Sequence, residues 1–479
     1  MRILLINPPW VKRKGNIWHD VASVMPPLGL AWIGAFLERE GHVVQILDAH
    51  AERLVPDVIG QRVREAEPFE IVGLTCTTSL YSAAMETARV VRAAAPKAKI
   101  VLGGVHPTVL PEETLAEPAV DWVVRGEGEL TLSELASGRP AEEVAGVSYR
   151  IGGVVRHNPD RPLIADLDSL PMPAYHLLPM HLYHPAVGAY RRLPAVSMLA
   201  TRGCPGRCTF CYRIFGNKLR VRSGRKLAEE VQYLQDKYGI REICFYDDTF
   251  TAARKEVAAF CQGLEDLKVD LTWSCFARTD TVNEEILLQM KRAGCHQIMY
   301  GVESGNPEIL KNIQKRVDMQ GVARAIRLTK KAGIVVRAAF MLGNPGETYT
   351  TMQQTLDWAI QLNPDLALFN ITTPYPGTEM FEWARRNGYL RTTDWEEYDL
   401  AHMVMDLPTV ESQTVEAFYK KAHRRFYLRP AYLVRRLASI RTLADLTQAI
   451  LGLKTIIGVG GPKRLPDARQ CNTERPQNK

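Results

Sequence analysis

Three cysteines lie close together in one short segment of the chain. Cys204, Cys208 and Cys211 have a C-x3-C-x2-C spacing within Thr-Arg-Gly-Cys-Pro-Gly-Arg-Cys-Thr-Phe-Cys-Tyr, residues 201–212. Three thiolates at this spacing can bind three irons of one iron–sulfur cube, which leaves the fourth iron open to another ligand. A zinc site would instead need paired C-x2-C elements and a fourth ligand, whereas the other cysteines of this region are scattered singly. The spacing therefore favours a cluster with an open iron.

Small polar loops follow the strands predicted in the first third of the chain. They are Asn7-Pro8-Pro9, Thr75-Cys76-Thr77-Thr78-Ser79, Gly103-Gly104-Val105-His106-Pro107 and Arg125-Gly126-Glu127-Gly128-Glu129. On a parallel α/β sheet, ligands bind beyond the carboxyl ends of the strands, where these loops are expected to lie. Glycine lets a ligand approach the backbone closely. The loops therefore suit a large ligand, and ordinary tight turns are the alternative interpretation.

Short β-branched runs alternate with helical patterns from residue 1 to about residue 137. The predicted strands are Ile3–Ile6, Val43–Leu47, Ile71–Leu74, Ile100–Leu102 and Trp122–Val124. The helical patterns between them lie near 28–40, 55–66, 80–95 and 111–116. Such an alternation predicts a doubly wound parallel sheet over residues 1–137.

A second alternating series begins after a proline-rich segment. Residues 138–195, with a Gly152-Gly153 hairpin signal, are predicted to be a linker with little regular structure. Strands follow near 196–202, 241–247, 270–276, 296–302, 334–342 and 366–372, each but the last followed by a helical pattern. This order predicts a partial (βα)6 barrel over residues 196–410, with its chemistry on the loops after the strands. The fold class is therefore α/β, with a helical C-terminal region.

Residues 411–461 have a helical and basic pattern. Between Glu416 and Lys454 the chain has nine basic and two acidic residues, interleaved with apolar ones. A basic amphipathic helix can lie on an anionic membrane surface or admit a lipid-like substrate, and a solvated helix that caps the barrel is the alternative. The polar tail, residues 462–479, is predicted to be disordered.

The composition excludes several classes of protein. At 479 residues and 46% hydrophobic, the chain is long enough for more than one domain of about 150 residues and is neither disordered nor fibrous. A net charge of +7 names no partner by itself. Nine cysteines without a secretory leader predict a reducing, cytoplasmic location. The uncharged stretch from Val21 to Leu37 contains prolines and glycines and is too short to span a bilayer.

The cysteine loop and the barrel pattern resemble the radical S-adenosylmethionine superfamily. The resemblance covers most of the barrel and implies that Cys204, Cys208 and Cys211 hold a [4Fe–4S] cluster. It also implies that the open iron chelates the amino and carboxylate groups of S-adenosylmethionine. Reductive cleavage of the sulfonium is then expected to produce a 5′-deoxyadenosyl radical, which abstracts hydrogen from the substrate. The protein positions cofactor and substrate and excludes solvent.

The same resemblance suggests roles for residues at the ends of the barrel strands. Asp247 or Asp248 could accept a hydrogen bond from the methionine ammonium, and a helix N-cap is the alternative. Arg278 could pair with the methionine carboxylate, and a structural salt bridge is the alternative. Glu303, with Ser304 beside it, resembles the acceptor for the ribose hydroxyls. A buried unpaired glutamate is costly, which favours a bound partner for Glu303.

Two further loops, rich in glycine and proline, end the fifth and sixth predicted strands. They are Leu342-Gly343-Asn344-Pro345-Gly346-Glu347 and Pro374-Tyr375-Pro376-Gly377-Thr378. They resemble the loops that approach the adenine of S-adenosylmethionine, which implies that Gly343 and Pro376 bind this cofactor. Because glycine and proline also commonly mark turns, neither loop is specific by itself. The resemblance depends on the order in which all these motifs follow the barrel strands.

A βαβ domain placed before such a barrel resembles the cobalamin-binding radical S-adenosylmethionine enzymes. This family includes methyltransferases that act on unactivated carbon or phosphorus and the anaerobic magnesium-protoporphyrin ester cyclase. In the family, loops after the strands wrap the nucleotide tail of the corrin. The resemblance therefore implies that cobalamin is bound by Thr75, Thr77, Ser79, Gly103, Gly104, His106, Gly126, Glu127 and Gly128.

The histidine that ligates cobalt in older cobalamin domains has no clear counterpart. Its D-x-H-x-x-G motif should follow the first strand, where this chain has Asn7-Pro8-Pro9-Trp10. Asp48-Ala49-His50 follows the second strand, with Arg53 in place of the glycine, and we interpret it as a chance match. Cobalamin is therefore expected to bind base-off, with its lower face left to Cys76 or to no protein ligand.

The resemblance predicts an enzyme that moves a methyl group from methylcobalamin to a carbon radical on a small molecule, lipid or pigment precursor. Oxidative cyclisation or rearrangement on the same apparatus is one alternative. RNA modification is another, although the tRNA methylthiotransferases carry clustered cysteines before the barrel and an all-β module at the end. A non-catalytic electron-transfer or cobalamin-storage protein would leave Glu303, Asp248 and Arg278 unexplained. The expected partners are a small-molecule or lipid-like substrate and a reductant such as flavodoxin or ferredoxin, with no nucleic acid.

Overall fold

Five short apolar strands build the first sheet of the structure, a computed structural model that describes residues 1–10, 23–66, 68–186, 188–438 and 450. They are β1 (Arg2–Asn7), β2 (Val43–Asp48), β3 (Ile71–Thr75), β4 (Lys99–Gly103) and β5 (Trp122–Val124). All are parallel, in the order β2-β1-β3-β4-β5. Their nearly continuous apolar runs fit a sheet that is buried on both faces.

Helices cover both faces of this sheet. They are α1 (Leu28–Arg39), α2 (Pro56–Glu65), α3 (Tyr81–Ala94), α4 (Val105–Val109), α5 (Pro111–Ala116) and α6 (Gly128–Ala136). The apolar sides of α1 and α6 pack on one face, and those of α2 and α3 pack on the other. The prediction of a doubly wound domain is confirmed.

The segment after residue 137 differs in part from the predicted linker. Two strands, β6 (Val147–Ile151) and β7 (Val154–His157), form a hairpin, and β6 pairs antiparallel with β5. The hairpin therefore extends the first sheet to seven strands. A hairpin signal shows where the chain reverses but not which sheet edge accepts the two strands. Between residues 158 and 194, the described part of the chain has short 3-10 turns and an isolated β-bridge from His184 to Val24.

Six parallel strands form the second sheet in sequential order. The first strand is β8 (Ala195–Met198), and two short strands outside this sheet follow it, β9 (Thr201–Arg202) and β10 (Arg220–Val221). The other five strands of the sheet are β11 (Glu242–Phe245), β12 (Thr272–Ala277), β13 (Cys295–Glu303), β14 (Val335–Leu342) and β15 (Leu366–Ile371). The sheet order is β15-β14-β13-β12-β11-β8, so β8 and β15 are its two edges and the barrel is partial. Seven helices accompany the strands: α7 (Gly224–Tyr238), α8 (Arg254–Asp266), α9 (Glu284–Arg292), α10 (Pro307–Asn312), α11 (Met319–Lys331), α12 (Tyr349–Leu362) and α13 (Glu379–Arg386).

Two details of the barrel differ from the prediction. The first strand ends at Met198, and Thr201–Arg202 form the separate strand β9, which pairs antiparallel with β10. The last strand, β15, is followed by α13, whereas the sequence pattern predicted no helix there. Thr378 caps this helix, since its side chain accepts a hydrogen bond from Phe381 N–H, so a cap that the pattern contained was missed.

Side-chain caps of this kind begin several barrel helices. Asn283 caps α9, Asp318 caps α11, and Thr348 forms a reciprocal capping box with Thr351 at the start of α12. Such caps satisfy backbone N–H groups that have no partner inside the helix. They fix where each helix begins and therefore where each loop after a strand ends.

The basic C-terminal region begins with two helices, α14 (Ser412–Tyr427) and α15 (Pro430–Ala438). The apolar face of α14, which includes Phe418 and Phe426, is buried against the barrel near β15. This placement agrees with the alternative in which the region caps the barrel. The remaining part of the predicted basic region and the predicted disordered tail, 462–479, lie outside the described residues except for residue 450. Within the described residues, no helix combines the length and the hydropathy needed to cross a membrane.

Candidate active site

The three cysteines lie on the loop between β9 and β10, at the carboxyl end of the barrel. Gly203, just before Cys204, has φ 91°, and a Cβ atom there would lie 2.3 Å from the carbonyl oxygen of Lys218. Only glycine fits this turn. Cys204, Cys208 and Cys211 are free thiols, and Cys211 is exposed. The loop therefore presents three unbonded thiols where a barrel is expected to bind its cofactor.

The donor set fits a cluster better than a single ion. In the described part of the chain, no three metal-binding side chains converge on one point. A zinc ion needs such convergence, whereas each thiolate of an iron–sulfur cube binds a different iron. The Gly206 N–H also donates a hydrogen bond to Cys204 Sγ, over 3.4 Å. Hydrogen bonds to cluster sulfurs are among the groups that tune such a site.

Two cations lie beside the cysteine loop. A Cβ atom at Gly206 would lie 3.3 Å from both Cys204 Sγ and Arg278 Nη1, so the glycine lets the guanidinium approach the loop. Burial raises the pKa of the Cys208 thiol, and the charges of Lys315 and Arg278 oppose that shift. Positive charge beside a thiol favours its thiolate, which is the form that binds metal.

Glu303 has a protein partner that the sequence did not reveal. Lys315 Nζ lies 2.8 Å from Glu303 Oε1, and both side chains are 9% exposed. The argument that a buried unpaired glutamate favours a bound ligand therefore does not apply to Glu303, because the ammonium of Lys315 already compensates its charge. Lys315 belongs to no recognisable motif, and only the folded chain brings it to Glu303.

The backbone at Glu303 has an unusual conformation. Its φ is 67°, in the left-handed region, and the pairing of β13 with β14 shifts register between Gly301 and Glu303. A bulge re-aims the side chains around it, and a non-glycine residue in this region costs about 1–3 kcal/mol. The bulge therefore determines where the Glu303 side chain points at the end of β13.

The two adjacent aspartates after β11 have different environments. Asp247 is fully buried, and its Oδ1 accepts hydrogen bonds from the backbone N–H groups of Ala200 and Thr201. It holds the turn that splits the first barrel strand into β8 and β9, so one oxygen of this predicted ligand of the methionine ammonium already has protein partners. Its other oxygen, Oδ2, is buried without a hydrogen-bond partner, and burial raises the pKa of Asp247 to about 7. Asp248 is exposed, so it is the aspartate that a ligand can reach.

Arg278 forms the structural salt bridge that was the alternative interpretation. Its Nε and Nη2 donate to the two carboxylate oxygens of Asp280 over 3.0 and 2.8 Å. The partner's side chain is half-exposed, whereas that of Arg278 is mostly buried. Because Nη1 lies toward the cysteine loop, the guanidinium can still reach an anion bound there.

The other predicted S-adenosylmethionine residues have structural contacts. Ser304 is fully buried, and its hydroxyl accepts from Asn306 N–H and shares a hydrogen bond with Thr355. Gly343 has φ 81°, and a Cβ atom there would lie 2.8 Å from Met403 Sδ. Pro376 is buried. These residues shape the loops, and none presents a free polar side chain to a ligand.

The loop after β14 is held by a buried carboxylate. Glu347 Oε2 accepts hydrogen bonds from the backbone and side-chain amides of Asn344, over 2.8 and 3.1 Å. Asn344 Oδ1 in turn accepts from the Thr372 hydroxyl after β15. Burial raises the pKa of Glu347 to about 7. The two loops that were predicted to approach the adenine are therefore linked to each other.

A cleft opens in the first domain at the carboxyl ends of β3, β4 and β5. It encloses about 850 Å³, with the solvent at its mouth included. The predicted cobalamin residues that line it are Thr75, Gly103, Gly104, Gly126, Glu127 and Gly128. Gly73 also lines it and was missed, although a glycine inside a strand often marks the close approach of a ligand. Leu30, Ile33 and Val101 supply hydrocarbon walls, so the slot fits the flat heterocycle at the end of the cobalamin nucleotide tail.

An ion network joins this cleft to the barrel. Arg202, on β9, pairs with Glu127 over 2.8 Å and with Glu129 over 2.6 Å, and all three side chains are about 5% exposed or less. Arg220, on β10, pairs with Glu127 over 2.9 Å. The carboxylate of Glu127, which was predicted to bind cobalamin, is thus occupied by two arginines. Glu127 therefore links the first domain to the barrel at the edge of the cleft.

Thr77, Ser79 and His106, which were predicted to bind cobalamin, are not among the residues that line the cleft. The His106 ring lies 4.4 Å from the ring of Tyr81 and 5.4 Å from that of Trp395, at the contact between the first domain and the C-terminal part of the barrel. Both ring nitrogens are buried without a hydrogen-bond partner, and burial lowers the pKa of His106 to about 4. The side chain points into this aromatic contact because α4 begins at Val105 and turns it away from the cleft.

Cys76 does not lie in the cleft either. Its thiol is buried and contacts the Thr77 carbonyl oxygen at 3.4 Å. Burial raises the pKa of Cys76 far above its usual range, so the group stays a neutral thiol. This environment argues against the cysteine as a ligand for the lower face of cobalamin.

The Asp-Ala-His match after β2 has a structural explanation. Asp48 is fully buried and accepts hydrogen bonds from Asn7 Nδ2 and from the Tyr183 hydroxyl, each over 2.8 Å. It therefore ties the end of β1 to the segment before the barrel. His50 lies near Trp10, with ring centroids 6.1 Å apart, and is not among the residues that line the cleft.

Two family models match the two parts of the chain. A model described as B12 binding domain matches residues 17–136, and one described as Radical SAM superfamily matches residues 198–359. The uncharacterized methyltransferase PH0819 of Pyrococcus horikoshii is 38% identical over 442 residues, which cover 91% of this chain and 94% of that protein. The chain belongs to the cobalamin-binding radical S-adenosylmethionine enzymes. As a member of this family it uses a [4Fe–4S] cluster, S-adenosylmethionine and cobalamin.

One further relative and one solved structure are similar to the chain over most of its length. The anaerobic magnesium-protoporphyrin IX monomethyl ester cyclase of Rubrivivax gelatinosus is 29% identical over 448 residues, 90% of this chain and 78% of that protein. The structure of the methyltransferase TsrM from Kitasatospora setae, with cobalamin and a [4Fe–4S] cluster bound, has a TM-score of 0.70 and 17% sequence identity, and the match covers 95% of this chain and 98% of that one. At that identity the likeness shows a shared fold.

Proposed function

We propose that this enzyme transfers a methyl group, by way of cobalamin, to an unactivated carbon of a small molecule, lipid or pigment precursor. One observation carries the proposal: the cleft of the first domain and the cysteine loop of the barrel share a wall. Ile214 and Phe215, which follow Cys211 closely in the chain, line the cleft together with Leu199 and Arg202 of the barrel. Cofactors held at these two sites would face a common space.

Each site supplies a different part of the proposed reaction. When bound, the cluster with S-adenosylmethionine supplies hydrogen abstraction, and cobalamin supplies a methyl group. In the proposal, Cys204, Cys208 and Cys211 hold the cluster, whereas Asp248, Arg278 and Glu303 orient S-adenosylmethionine. The glycines of the cleft admit the nucleotide tail of cobalamin. The pairing of Arg202 with Glu127 and Glu129 keeps the domains from separating, and fixed orientation of reacting groups lowers the barrier.

The relatives support methyl transfer and keep one alternative open. The Pyrococcus horikoshii protein at 38% identity is named a methyltransferase, although an uncharacterized one. The Rubrivivax gelatinosus relative at 29% identity is a cyclase. Oxidative cyclisation without net methylation is therefore the second candidate, because both outcomes would use the same two sites.

A labelling experiment separates the two candidates. With a candidate substrate and methyl-labelled S-adenosylmethionine, methyl transfer predicts label in the product and equal amounts of S-adenosylhomocysteine and 5′-deoxyadenosine. Deoxyadenosine formed together with an unlabelled, oxidised product would instead establish the cyclase-like reaction. Glu303→Ala should suppress either reaction while the iron content stays unchanged.

The proposal extends to partners and location. A reductant such as flavodoxin or ferredoxin would supply the electron that the cluster needs, and a cytoplasmic location would provide it. Peripheral membrane contact through the C-terminal helices is a weaker extension, since the apolar face of α14 is already buried against the barrel. No nucleic acid is part of the proposal.

A further inference from the structure

One inward-facing layer of the barrel contains a charge among apolar side chains. In the register of the sheet, Phe276 pairs with Met299, Met299 with Arg337, and Arg337 with Leu366. Residues paired in this way point to the same side of a parallel sheet. All four are only partly buried.

The alternate residues of the same strands are completely covered. Cys275, Ile298 and Val336 are at most 2% exposed and belong to the core that packs the strands against the helices. The layer with Arg337 therefore faces the inside of the barrel, and its partial exposure shows that the inside is not filled at this level. A packed barrel would bury such a layer completely.

Arg337 has almost no hydrogen-bond partners. Its Nη1 lies 3.4 Å from Gln297 Oε1, and its Nε is buried without a partner. In the described part of the chain, no carboxylate forms a salt bridge with it, and the titratable groups that face it are Tyr246, Tyr427 and Cys244. Two other buried arginines are paired differently: Arg202 with Glu127 and Glu129, and Arg222 with Glu230.

A guanidinium with so few partners, whose Nε is buried, needs an explanation. Arginine stays protonated in proteins, so the side chain cannot lose its charge to escape the cost of burial. A buried charge without a counter-ion destabilises the fold, and natural proteins retain such features mainly where they bind a ligand. An anion that enters the barrel would compensate the charge of Arg337 and accept hydrogen bonds from its free N–H groups.

The surroundings of Arg337 describe the rest of that ligand. Tyr246 and Phe276 are stacked, with ring centroids 5.1 Å apart and an angle of 24° between the rings. Gln297 Nε2 donates to the Gly188 carbonyl oxygen over 3.0 Å, which places a chain segment against the amino ends of the strands. A ligand would therefore enter from the other end, where Glu303 lies four residues beyond Met299 on β13. At about 3.3 Å per residue this is about 13 Å of strand.

We propose that Arg337 binds a carboxylate or phosphate group of the substrate at the inner end of the barrel, with Tyr246 and Phe276 against its planar or apolar body. The inference rests on the proposed function, because it takes the ligand of the barrel to be the substrate. It narrows that substrate to an anion whose reacting carbon lies on the order of 10 Å from its charged group, toward the cysteine loop.

Binding of small probes tests the proposal without turnover. The reconstituted holoenzyme, with cluster and cobalamin, is titrated by calorimetry with benzoate, phenyl phosphate and neutral benzyl alcohol. We expect both anions to bind at least tenfold more tightly than the alcohol, and Arg337→Met to abolish this difference. Arg337→Lys should retain part of it. The tighter of the two anions shows whether the natural group is a carboxylate or a phosphate.

The matched control is Arg327→Met, which removes an exposed cation of α11 and should leave all three affinities unchanged. Equal affinity of wild type and Arg337→Met for both anions would overturn the proposal. An equal loss of anion affinity in Arg327→Met would also overturn it, because the effect would then come from the overall charge of the protein.

A stability measurement gives a second, independent test. Removal of an unpaired buried charge should raise the melting temperature of the ligand-free protein in Arg337→Met, whereas a structural role for the arginine would lower it. A lowered melting temperature together with unchanged anion binding would overturn the proposal. If probes bind through Arg337 but no label reaches any product, the proposed function fails and the anion site stands.

Discussion

The cleft of the first domain and the mouth of the barrel both suit large cofactors, yet they are built from different chemistry. The cleft is lined mainly by glycine backbone and hydrocarbon, and its charged residues Glu127, Glu129 and Arg202 already pair with one another. The barrel mouth carries thiols, the exposed Asp248 and the ion pair of Glu303 with Lys315. In the proposed function, the first site recognises shape, whereas the second recognises charge and holds the cluster. Changes of volume should damage one, and changes of charge the other.

The largest effect is expected at the cysteine loop. Replacing Cys204, Cys208 and Cys211 together by Ala should abolish iron binding, from about four irons per chain, and reductive cleavage of S-adenosylmethionine, because no other side chains supply the thiolates. Cobalamin binding should persist, since the cleft lies in the other domain. Iron analysis and deoxyadenosine production measure the two losses. Cys261→Ala, on α8, is the control and should leave both intact; cleavage by the triple variant would contradict the assignment.

The link between the two regions should show the next largest effect. Arg202→Met leaves Glu127 and Glu129 buried with their charges no longer compensated by this arginine, and loss of one partner from a buried network costs about 3–5 kcal/mol. Denaturant unfolding measures this change in free energy. Arg225→Met is the matched control, because Arg225 pairs with Glu229 on the surface of α7 and such pairs contribute about 1 kcal/mol or less. An equal cost for both variants would mean that the network does not hold the domains together.

A change of volume should disable the cleft alone. Gly103→Trp should weaken cobalamin binding about 100-fold, or about 2.7 kcal/mol, while the iron content stays normal. Gly103→Ala is the control, because a Cβ atom there meets only the Val124 carbonyl oxygen, at 3.6 Å. The bound corrinoid should be base-off, and His50→Ala should leave its absorption spectrum unchanged. A base-on spectrum, or an alanine at residue 103 that is as harmful as tryptophan, would refute the shape-based account.

The contact at His106 should make stability depend on pH. Burial lowers the folded pKa to about 4 from an ordinary value of 6.5, so the unfolded chain takes up a proton first as the pH falls. The stability that wild type has at pH 7 should therefore decrease between pH 6.5 and pH 4, by about 2 kcal/mol at pH 5 for this group. His106→Phe keeps the aromatic contact and should remove that part of the slope. The unfolding free energy is measured for wild type and His106→Phe at pH 7 and pH 5, and the change between the two pH values is compared. An equal change in both proteins would exclude His106 as a source of the pH dependence.

The smallest effect is expected from the ion pair of Glu303 with Lys315. Lys315→Met leaves Glu303 without its partner, and we expect S-adenosylmethionine to bind about tenfold more weakly, or about 1.4 kcal/mol, to the cluster-loaded enzyme. Lys315→Arg should restore most of the affinity, and Lys311→Met, an exposed cation on α10, should change nothing. If Lys315→Met bound S-adenosylmethionine with unchanged affinity, the ion pair would have no role in cofactor binding. Calorimetry with unreduced enzyme measures binding without cleavage.

Local patterns in the sequence were enough for much of the architecture. The five parallel strands of the first domain and the six of the barrel follow from β-branched runs and helical periodicity, which depend on near neighbours in the chain. The cysteine loop was equally accessible, because all three thiols lie within eight residues. The glycine loops after β4 and β5 do line the cleft. Each of these signals is contained in one short segment.

Only the tertiary structure decided which residues meet across the chain. Glu303 pairs with Lys315 and Glu127 with Arg202, and the hairpin after residue 146 joins the edge of the first sheet. A spacing pattern contains no information about such partners, because they depend on how whole elements pack. The same limit explains His106: its loop was correctly placed, but α4 turns the side chain into the domain contact. Sequence alone thus determined the kinds of chemistry present, and packing decided which charged groups are already paired and which remain free for a ligand.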